Sequence, residues 1–325
     1  MSSQPLILAV PSKGRLQDNA AAFFARAGLN FVRARGALDY RGSISGMADA
    51  EIQFLSASEI TQQLAAGAVH LGVTGEDLVR ENIADADARV DLVSPLGFGH
   101  ANVVVAAPRA WIDVATMADL DEVAHDLHHR HKRRMRVATK YVNLTRRFFA
   151  AHGLSDYQIV ESAGATEGAP AAGTAEIVVD ITSSGATLAS NGLKVLDDGL
   201  ILKSEANLVA SLTAPWSAEA KSAARSILSR IAASQGAQRT AEVRAAIGSI
   251  SPERLATLMA ARQASLPFGA ASSGAPLIAH CPRAEAAALA EALVAEGATH
   301  VAIGAIDYLF TGRVDLSDRL FSRLG

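Results

Sequence analysis

Short apolar runs alternate with amphipathic stretches along the first part of the chain. Leu6–Val10, Ile52–Leu55 and Val69–Thr74 are apolar runs of strand length, and helical patterns lie at about 16–27 and, from an N-cap at Ser58, to about residue 66. Strands that alternate with helices in this way predict βαβ units and a largely parallel sheet. The predicted fold class is therefore α/β.

A second α/β region follows and is inserted into the first. It begins with the apolar run Asn102–Ala107 and ends near residue 188. Three later apolar segments are predicted to be strands that return to the first region: 193–196, 200–203 and 206–212. We therefore expect domain I to comprise residues 1–102 and 189–215, domain II to comprise residues 103–188, and a ligand cleft to lie between them.

The remaining residues, 216–325, have a different pattern. A long amphipathic helix is predicted over Ser217–Ala233 with a break at Ser234–Gly236, and two β–α units follow it. This order predicts a small α+β ferredoxin-like module. The chain has 325 residues, of which 50% are hydrophobic, so it is long enough to bury sizeable cores.

Charge and cysteine content argue against several classes of protein. The net charge of −3 gives no general attraction to nucleic acid or to an anionic membrane, and the basic run His128–Arg136 lacks interleaved aromatic residues, which favours a solvated helix end. The single cysteine, Cys281, allows no intrachain disulfide and fits a reducing compartment. Met1–Val10 lacks a basic segment and is too short for a signal peptide, and no run approaches the ~20 apolar residues of a membrane span. We expect a soluble, cytoplasmic protein.

The segment Glu176–Leu188 carries the clearest chemical signal. An apolar, β-branched stretch ends at Asp180, and a turn rich in hydroxyl groups and glycine leads into the start of a helix. The N-terminus of a helix behind such a turn binds phosphate through its unpaired N–H groups and its dipole. The candidate binding residues are Thr182, Ser183, Ser184, Gly185, Ala186 and Thr187.

Asp180 must serve another group, because its charge would repel a phosphate. A carboxylate at this position suits the vicinal hydroxyls of a ribose, so the segment predicts a phosphorylated sugar as ligand. A strand-to-helix connection with ordinary Ser/Thr capping is the alternative.

Two further segments carry pairs of charged candidates. Lys13 and Arg15 flank Gly14 after the first strand, where ligands bind in open α/β sheets, and their cations suit phosphates; a solvated basic loop is the alternative. Glu76 and Asp77 open a helix, where they suit a ribose hydroxyl or a metal ion, or only complement the helix dipole.

Two more candidates lie in the second region. Glu167, in the glycine-bounded turn Ala165–Pro170, suits a contact with a base or a magnesium ion, and surface exposure explains it about as well. Lys140 and Tyr141 lie at a strand-to-helix junction and are candidate substrate contacts.

In this order and spacing, the motifs resemble those of the catalytic subunit of ATP phosphoribosyltransferase. The matching segments are Pro11–Leu16, His70–Leu78, Val137–Tyr141, Glu161–Pro170 and Glu176–Leu193. They occur within about the first two thirds of the chain. The resemblance implies two α/β domains of the periplasmic-binding-protein type, with the active site in the cleft between them.

For the chemistry, the resemblance implies that N1 of the adenine of ATP attacks C1 of phosphoribosyl pyrophosphate. Pyrophosphate then leaves with Mg²⁺, for which no direct protein ligand is assigned. Asp180–Thr187 would hold the ribose and 5-phosphate, and Lys13 and Arg15 would face the pyrophosphate or the nucleotide phosphates. Glu167 and Asp77 would belong to the substrate cleft. The expected catalytic residues are Lys13, Arg15, Glu167 and Asp180.

Two departures from the family pattern bear on the prediction. Many relatives carry an arginine in the segment that reads Phe54–Ser58 here, and Arg41 or Arg35 is the candidate substitute. Long-form relatives end in a ferredoxin-like domain that binds histidine for feedback inhibition, whereas short-form relatives lack it and use a separate regulatory subunit. Residues 217–325 have the length and a compatible βα pattern of the long-form domain. The resemblance therefore implies inhibition by histidine, with no binding residue assigned, and a homo-oligomer, either a dimer or a hexamer.

Two other classes of protein fit parts of the pattern. A phosphoribosyltransferase that acts on a free base usually has two adjacent acids before its hydroxyl loop, but Asp180 is followed by Ile181 here. A non-enzymatic binder of a nucleotide or a sugar phosphate could use the same cleft fold. A periplasmic receptor of that kind would need a signal peptide, and a transcriptional effector domain would need a DNA-binding helix-turn-helix. The sequence shows neither pattern.

Overall fold

The chain divides into two units, each with its own sheets and helices. The computed structural model describes residues 4–33, 40–162, 164–248, 250–269 and 276–324. The first unit consists mainly of Met1–Ala22 and Phe31–Lys221, and the second consists mainly of Phe23–Asn30 and Ser222–Arg323. The predicted boundaries of domains I and II and of the C-terminal module stay a prediction.

Strands and helices alternate through most of the described chain. The strands are β1 (Leu6–Pro11), β2 (Phe31–Arg33), β3 (Arg41–Ile44), β4 (Met47–Leu55), β5 (Leu71–Gly75), β6 (Val90–Pro95), β7 (Asn102–Pro108), β8 (Met135–Thr139), β9 (Tyr157–Glu161), β10 (Ile177–Thr182), β11 (Leu193–Leu202), β12 (Ala206–Ser211), β13 (Thr240–Ala246), β14 (Leu277–Pro282) and β15 (His300–Ala305). The helices are α1 (Gly14–Arg26), α2 (Ala57–Ala65), α3 (Glu76–Asn82), α4 (Ala86–Arg89), α5 (Met117–His131), α6 (Val142–Ala151), α7 (Ala186–Ser190), α8 (Ala218–Arg239), α9 (Pro252–Ala261), α10 (Ala286–Ala295) and α11 (Asp315–Leu324).

The first sheet has the strand order β2-β3-β4-β1-β5-β12-β6. β1 runs parallel to β4 and β5, as the alternation of strands and helices predicts, so the carboxyl ends of these three strands lie at one edge. β2, β3 and β4 form an antiparallel meander, and β12 pairs antiparallel with β5 and β6. The prediction of a largely parallel sheet is therefore wrong for this sheet, because only the two pairs made by β1 are parallel. The α/β fold class is confirmed.

The second sheet has the order β11-β7-β10-β8-β9, with β8 parallel to β9 and β10. The expected return of residues 193–203 to the first sheet is wrong, because β11 pairs antiparallel with β7 and the chain reaches the first sheet only at β12. Leu193 and Leu196 are buried in the cores of the second sheet. An apolar pattern predicts a strand, but it does not identify the sheet that the strand joins.

The second unit contains the three-stranded antiparallel sheet β14-β13-β15. Its buried face is formed by small and aliphatic side chains from β13 and β14, packed with residues of α9 and α10. The predicted helix break at Ser234–Gly236 is wrong, since α8 continues through Gly236 to Arg239. The α+β character of this part of the chain is as expected. Among the described helices, none is both long and apolar enough to span a membrane.

Candidate functional site

The hydroxyl loop, which we define as residues 182–187, connects β10 to α7. Gly185 has φ +76°, a left-handed conformation that glycine adopts without the strain of a Cβ atom. The backbone N–H of Gly185 donates to Oγ1 of Thr182 at 2.7 Å, which closes the turn. Ser183, Ser184 and Thr187 are exposed. The loop therefore has a defined shape and presents its hydroxyl groups to solvent.

Asp180 lies in β10, two residues before this loop. One of its carboxylate oxygens accepts a hydrogen bond from the backbone N–H of Ile181 at 2.8 Å. Burial raises the pKa of Asp180; the Ile181 N–H and the charge of Lys140 oppose this rise, and the charge of Glu167 adds to it. Lys140 and Glu167 thus both lie near enough to Asp180 for their charges to act on its carboxylate.

Glu167 lies in the 3₁₀ turn Thr166–Gly168, which packs against β10. The turn is entered through Ala165, whose φ of +50° is unusual for a residue with a side chain. Thr166 is buried, and its hydroxyl donates to Oγ of Ser162 at 3.2 Å. These contacts hold the turn and leave Glu167 partly exposed.

Asp77 and Tyr141 form a buried hydrogen bond between α3 and the start of α6. The Tyr141 hydroxyl donates to Oδ2 of Asp77 at 2.7 Å, and the Ser204 hydroxyl donates to Oδ1 at 2.9 Å. The exposed fractions are only 5% for Asp77 and 1% for Tyr141. Burial, and then the charge and hydrogen bond of Asp77, raise the pKa of Tyr141. Both polar groups are buried and bonded to each other. The predicted contacts of Asp77 and Tyr141 with substrate stay a prediction.

Glu81 is a buried residue that the sequence analysis did not single out. Its carboxylate accepts the backbone N–H groups of Asn143 and Leu144, each at 2.9 Å, and so caps the N-terminus of α6. Glu81 follows Asp77 by four residues on α3, and residues at this spacing share one face of a helix. That spacing is the signal that could have identified both acids as a pair facing α6.

Glu76 is more accessible than Asp77. Its carboxylate accepts from Nε of Arg80 at 3.2 Å, and Arg80 also donates to Asp87 at 2.7 Å. Glu76 lines a cavity of about 440 Å³ together with His100, Asn102, Lys203, Glu205 and neighbouring residues. Asn102 pairs with Thr182 in the ladder between β7 and β10. The cavity therefore lies next to the strand pair that leads into the hydroxyl loop.

The basic loop, residues 12–15, follows β1. Lys13 and Arg15 are exposed, and Gly14 between them has φ +72°. Hydrogen bonds from Ser56, and secondarily the charge of Lys13, lower the pKa of Glu59. No described hydrogen bond or ion pair joins Lys13 or Arg15 to the hydroxyl loop. Lys13 and Arg15 therefore form a second cluster of site candidates, at the edge of the first sheet.

The neighbourhood of Ser56 corrects one local prediction. The N-cap of α2 is Ser56 instead of Ser58: its hydroxyl accepts from the backbone N–H of Glu59 at 3.3 Å, and Glu59 accepts from the Ser56 N–H at 2.8 Å. This reciprocal capping box starts the helix two residues earlier. Arg41 is exposed on β3 and pairs with Gln53 of β4, while Arg35 lies outside the described residues.

The basic run His128–Arg136 forms the end of α5 and the start of β8. Nδ1 of His128 lies 2.6 Å from Oδ1 of Asp156, and Arg133 and Arg136 both contact Oε1 of Glu176, at 2.8 and 2.7 Å. These basic groups are paired with nearby acids, which supports the interpretation as a solvated helix end.

The fold and the two loops together define a class of protein. An exposed hydroxyl loop next to a partly buried carboxylate, combined with an exposed cationic loop, suits an α/β protein that binds a phosphorylated ligand.

Comparison with known proteins identifies the family. The family model for ATP phosphoribosyltransferase matches residues 56–233. The ATP phosphoribosyltransferase of Afipia carboxidovorans is 58% identical over 321 residues, 99% of each chain. That of Rhodopseudomonas palustris (strain BisB18) is 59% identical over 320 residues, 98% of this chain and 97% of the relative. The chain belongs to the ATP phosphoribosyltransferase family, as the sequence motifs indicate.

A solved structure is similar in fold. A chain of the ATP phosphoribosyl transferase (HisG:HisZ) complex from Thermotoga maritima matches with a TM-score of 0.53 and 22% identity, over 70% of this chain and 95% of that chain. That likeness shows the fold. Membership of the family, from the family model and the close relatives, makes the protein an enzyme of the pentosyltransferase class whose reaction is the first step of histidine biosynthesis.

Proposed function

We propose that this chain transfers the phosphoribosyl group of phosphoribosyl pyrophosphate to N1 of the adenine of ATP. The bond from N1 to C1 of the ribose forms, the bond from C1 to the pyrophosphate oxygen breaks, and phosphoribosyl-ATP and pyrophosphate result. The observation that carries the proposal is the geometry around Asp180. A partly buried carboxylate lies two residues before an exposed loop of hydroxyl and backbone N–H donors, within electrostatic reach of Lys140 and Glu167.

The ribose end of the substrate would use these two elements in different ways. Ionised Asp180 accepts hydrogen bonds from the ribose hydroxyls and holds C1 in line with the incoming N1. The hydroxyl loop donates to the 5-phosphate through the hydroxyl groups of Thr182, Ser183, Ser184 and Thr187. The N–H groups of Gly185 and Ala186 bond within the loop and hold its shape. Adenine N1 carries no proton that must be removed, so the reaction needs no strong general base.

The pyrophosphate end would use the basic loop. Negative charge grows on pyrophosphate as its bond to C1 breaks, and exposed cations stabilise that charge. Lys13 and Arg15 supply these cations, and Gly14 lets the backbone approach. Arg41 lies in the same sheet on β3, which is separated from β1 by β4.

Magnesium fits this site as a companion of pyrophosphate. Among the described residues, no group of three or more acidic, histidine or cysteine side chains is arranged to hold a metal ion. Mg²⁺ commonly binds through one or two carboxylates together with substrate phosphates, and Asp180 and Glu167 are the neighbouring acids that could contribute. When bound, the ion would neutralise charge on the leaving group.

Residues between the two sheets would position the adenine side. Nζ of Lys140 lies 5.0 Å from the centre of the Tyr141 ring, and the Tyr141 hydroxyl is held by Asp77. The buried pair therefore orients the exposed Lys140, while Glu76, at the cavity beside Asn102, offers a carboxylate to a nucleotide hydroxyl.

The test is an absorbance assay for phosphoribosyl-ATP with ATP, phosphoribosyl pyrophosphate and Mg²⁺. The purified chain should form product, and Asp180→Asn should lower kcat/KM by about 10²–10³-fold. Asp113→Asn, a matched change at an exposed residue of the second α/β region, should stay within about twofold of the wild type. Near-normal turnover of a folded Asp180→Asn variant would remove the ribose role.

Regulation, assembly and location extend the proposal. We propose that histidine inhibits the reaction through the C-terminal module, that the active form is a homo-oligomer, either a dimer or a hexamer, and that the enzyme is cytoplasmic. Histidine titrated into the assay of the full chain should lower its rate, and light scattering should give a mass of at least two chains. A rate that is insensitive to millimolar histidine would contradict the regulatory part.

A further inference from the structure

Arg33 is an ordered cation beside the basic loop that the sequence analysis did not single out. It ends β2, and its guanidinium lies over the ring of Phe54 at 4.2 Å from the ring centre. Its Nη2 donates to the backbone carbonyl of Ser12 at 3.2 Å. Stacking on an aromatic face and a hydrogen bond in its plane together limit the freedom of this side chain.

The backbone around Arg33 is shaped to keep this arrangement. Gly42 of β3 pairs with Arg33, and a Cβ atom at Gly42 would lie 2.9 Å from Cε2 of Phe54 and 2.6 Å from the carbonyl oxygen of Val32. The absence of a side chain at Gly42 therefore makes room for the Phe54 ring. Phe54 is buried, with 3% of its surface exposed, and its ring packs against the guanidinium of Arg33.

Arg33 is placed next to the residues proposed for the pyrophosphate end. The Ser12 carbonyl that it contacts belongs to the peptide unit that leads into Lys13. The first turn of α1, which begins at Gly14, contains no acidic residue that would neutralise these cations. Within the described part of the chain, no acidic side chain forms an ion pair with Arg33. A guanidinium has five N–H donors, and the contact to Ser12 uses one of them.

We propose that Arg33 is a third cation of this site and donates its remaining N–H groups to the diphosphate of phosphoribosyl pyrophosphate. This inference rests on the proposed function, because it assigns the diphosphate to the basic loop. Phosphates are bound well by a planar guanidinium, which can offer two parallel donors. The stack on Phe54 holds the donors in place before the ligand arrives, which lowers the entropic cost of binding.

The test measures binding and turnover separately. Inorganic pyrophosphate and phosphoribosyl pyrophosphate are titrated by calorimetry, with Mg²⁺, into the wild type, Arg33→Met and Arg33→Lys. Arg33→Met should lower the affinity for both ligands by about tenfold. Arg33→Lys should recover part of that affinity, because lysine restores the charge without the planar guanidinium. In the assay, Arg33→Met should raise KM for phosphoribosyl pyrophosphate and leave KM for ATP within about twofold.

Arg225→Met is the matched control. Arg225 also lies over a phenylalanine ring, 4.8 Å from the centre of Phe321, but it belongs to the second unit. The Arg225→Met variant should bind pyrophosphate and phosphoribosyl pyrophosphate with the affinity of the wild type. Arg33→Leu, which also lacks the charge, repeats the test if Arg33→Met fails to fold by circular dichroism.

The outcomes separate the two proposals. Unchanged affinity of a folded Arg33→Met variant for both ligands overturns the inference, whether or not the wild type turns over. Weakened binding in Arg33→Met combined with a wild type that forms no phosphoribosyl-ATP would support the anion contact and overturn the proposed reaction. A wild type that binds neither ligand would overturn both.

Discussion

The basic loop after β1 and the hydroxyl loop after β10 are both strand-to-helix connections with a glycine in the left-handed region, yet they offer an anion different groups. The basic loop has the exposed cations Lys13 and Arg15, and the hydroxyl loop has neutral donors next to the carboxylate of Asp180. Neutral donors can hold a phosphate whose charge does not change during the reaction, whereas cations are most useful where charge grows. The difference supports the proposal that the pyrophosphate end lies at the basic loop and is the end that leaves.

Arg15→Ala should produce the largest effect on this comparison. The side chain is proposed to stabilise charge that develops mainly in the transition state, so kcat should fall by about 10²–10³-fold while KM for phosphoribosyl pyrophosphate changes less. Steady-state kinetics provides the measurement. Ser183→Ala in the hydroxyl loop is the matched change and should raise KM with a smaller change in kcat. Equal losses of kcat in the two variants would contradict the division between the loops.

Gly185→Ala should have a moderate effect confined to phosphate binding. The residue has φ +76°, and an added Cβ would meet no atom within 4 Å, so the cost is conformational and amounts to about 1–2 kcal/mol. We expect the loop to relax and KM for phosphoribosyl pyrophosphate to rise by roughly tenfold.

Gly173 is the control for this substitution. It has φ +68° and equally open surroundings but lies outside the hydroxyl loop. Gly173→Ala should lower the free energy of unfolding to a similar extent and leave KM unchanged. A rise in KM of the same size in both variants would show that strain, and not loop geometry, causes it.

Tyr141→Phe should have a smaller effect, on the stability of the fold that carries both loops. It removes the donor to Oδ2 of Asp77 in a buried position, so the free energy of unfolding should fall by about 1–3 kcal/mol. Urea denaturation measures the change. Tyr157→Phe, which keeps the edge contact of its ring with Phe149, is the control and should change stability by less than about 0.5 kcal/mol. Unchanged stability in Tyr141→Phe would mean that the buried pair does not stabilise the fold.

Protonation of His70 should change the stability of the fold and should not change the chemistry of either loop. Its Nδ1 accepts the backbone N–H of Ile7 at 3.0 Å, and burial lowers the pKa of the ring. Below about pH 6.5 the unfolded chain gains a proton that the folded chain does not, so the free energy of unfolding should decrease as the pH falls through that range.

Denaturation curves between about pH 5 and 7.5 test this sign. His70→Gln should flatten the pH dependence, and His152→Gln, at an exposed histidine, should leave it as it is in the wild type. A stability that increases towards pH 5 in the wild type would show that the sign is wrong.

The local features of the site could be predicted because they depend on neighbours in sequence. A β-branched run followed by hydroxyl residues and Gly185 favours a strand, a turn and a helix start locally, and the structure has them in that order. The wrong N-cap prediction at Ser58 also concerns neighbours in sequence. Ser56 and Ser58 are both suitable cap residues, but only Ser56 has a glutamate, Glu59, three residues later to complete a capping box.

Other parts of the site could not be predicted in this way. Asp77 and Tyr141 are separated by 64 residues, and their direct hydrogen bond depends on how α3 and α6 meet. Arg33 becomes a candidate only because β3 brings Gly42, and through it the Phe54 ring, next to the end of β2. The assignment of β11 to the second sheet likewise depends on pairing with a distant strand.

The sequence by itself therefore determined the class of fold, the family, and the two loops that carry the proposed chemistry, since periodicity, turn residues and charge are properties of contiguous residues. Only the tertiary structure decided which of the candidate side chains are exposed, which are buried against each other, and which distant cation stands beside Lys13. Burial and pairing are set by packing between segments far apart in the chain, and a linear pattern contains no direct record of that packing.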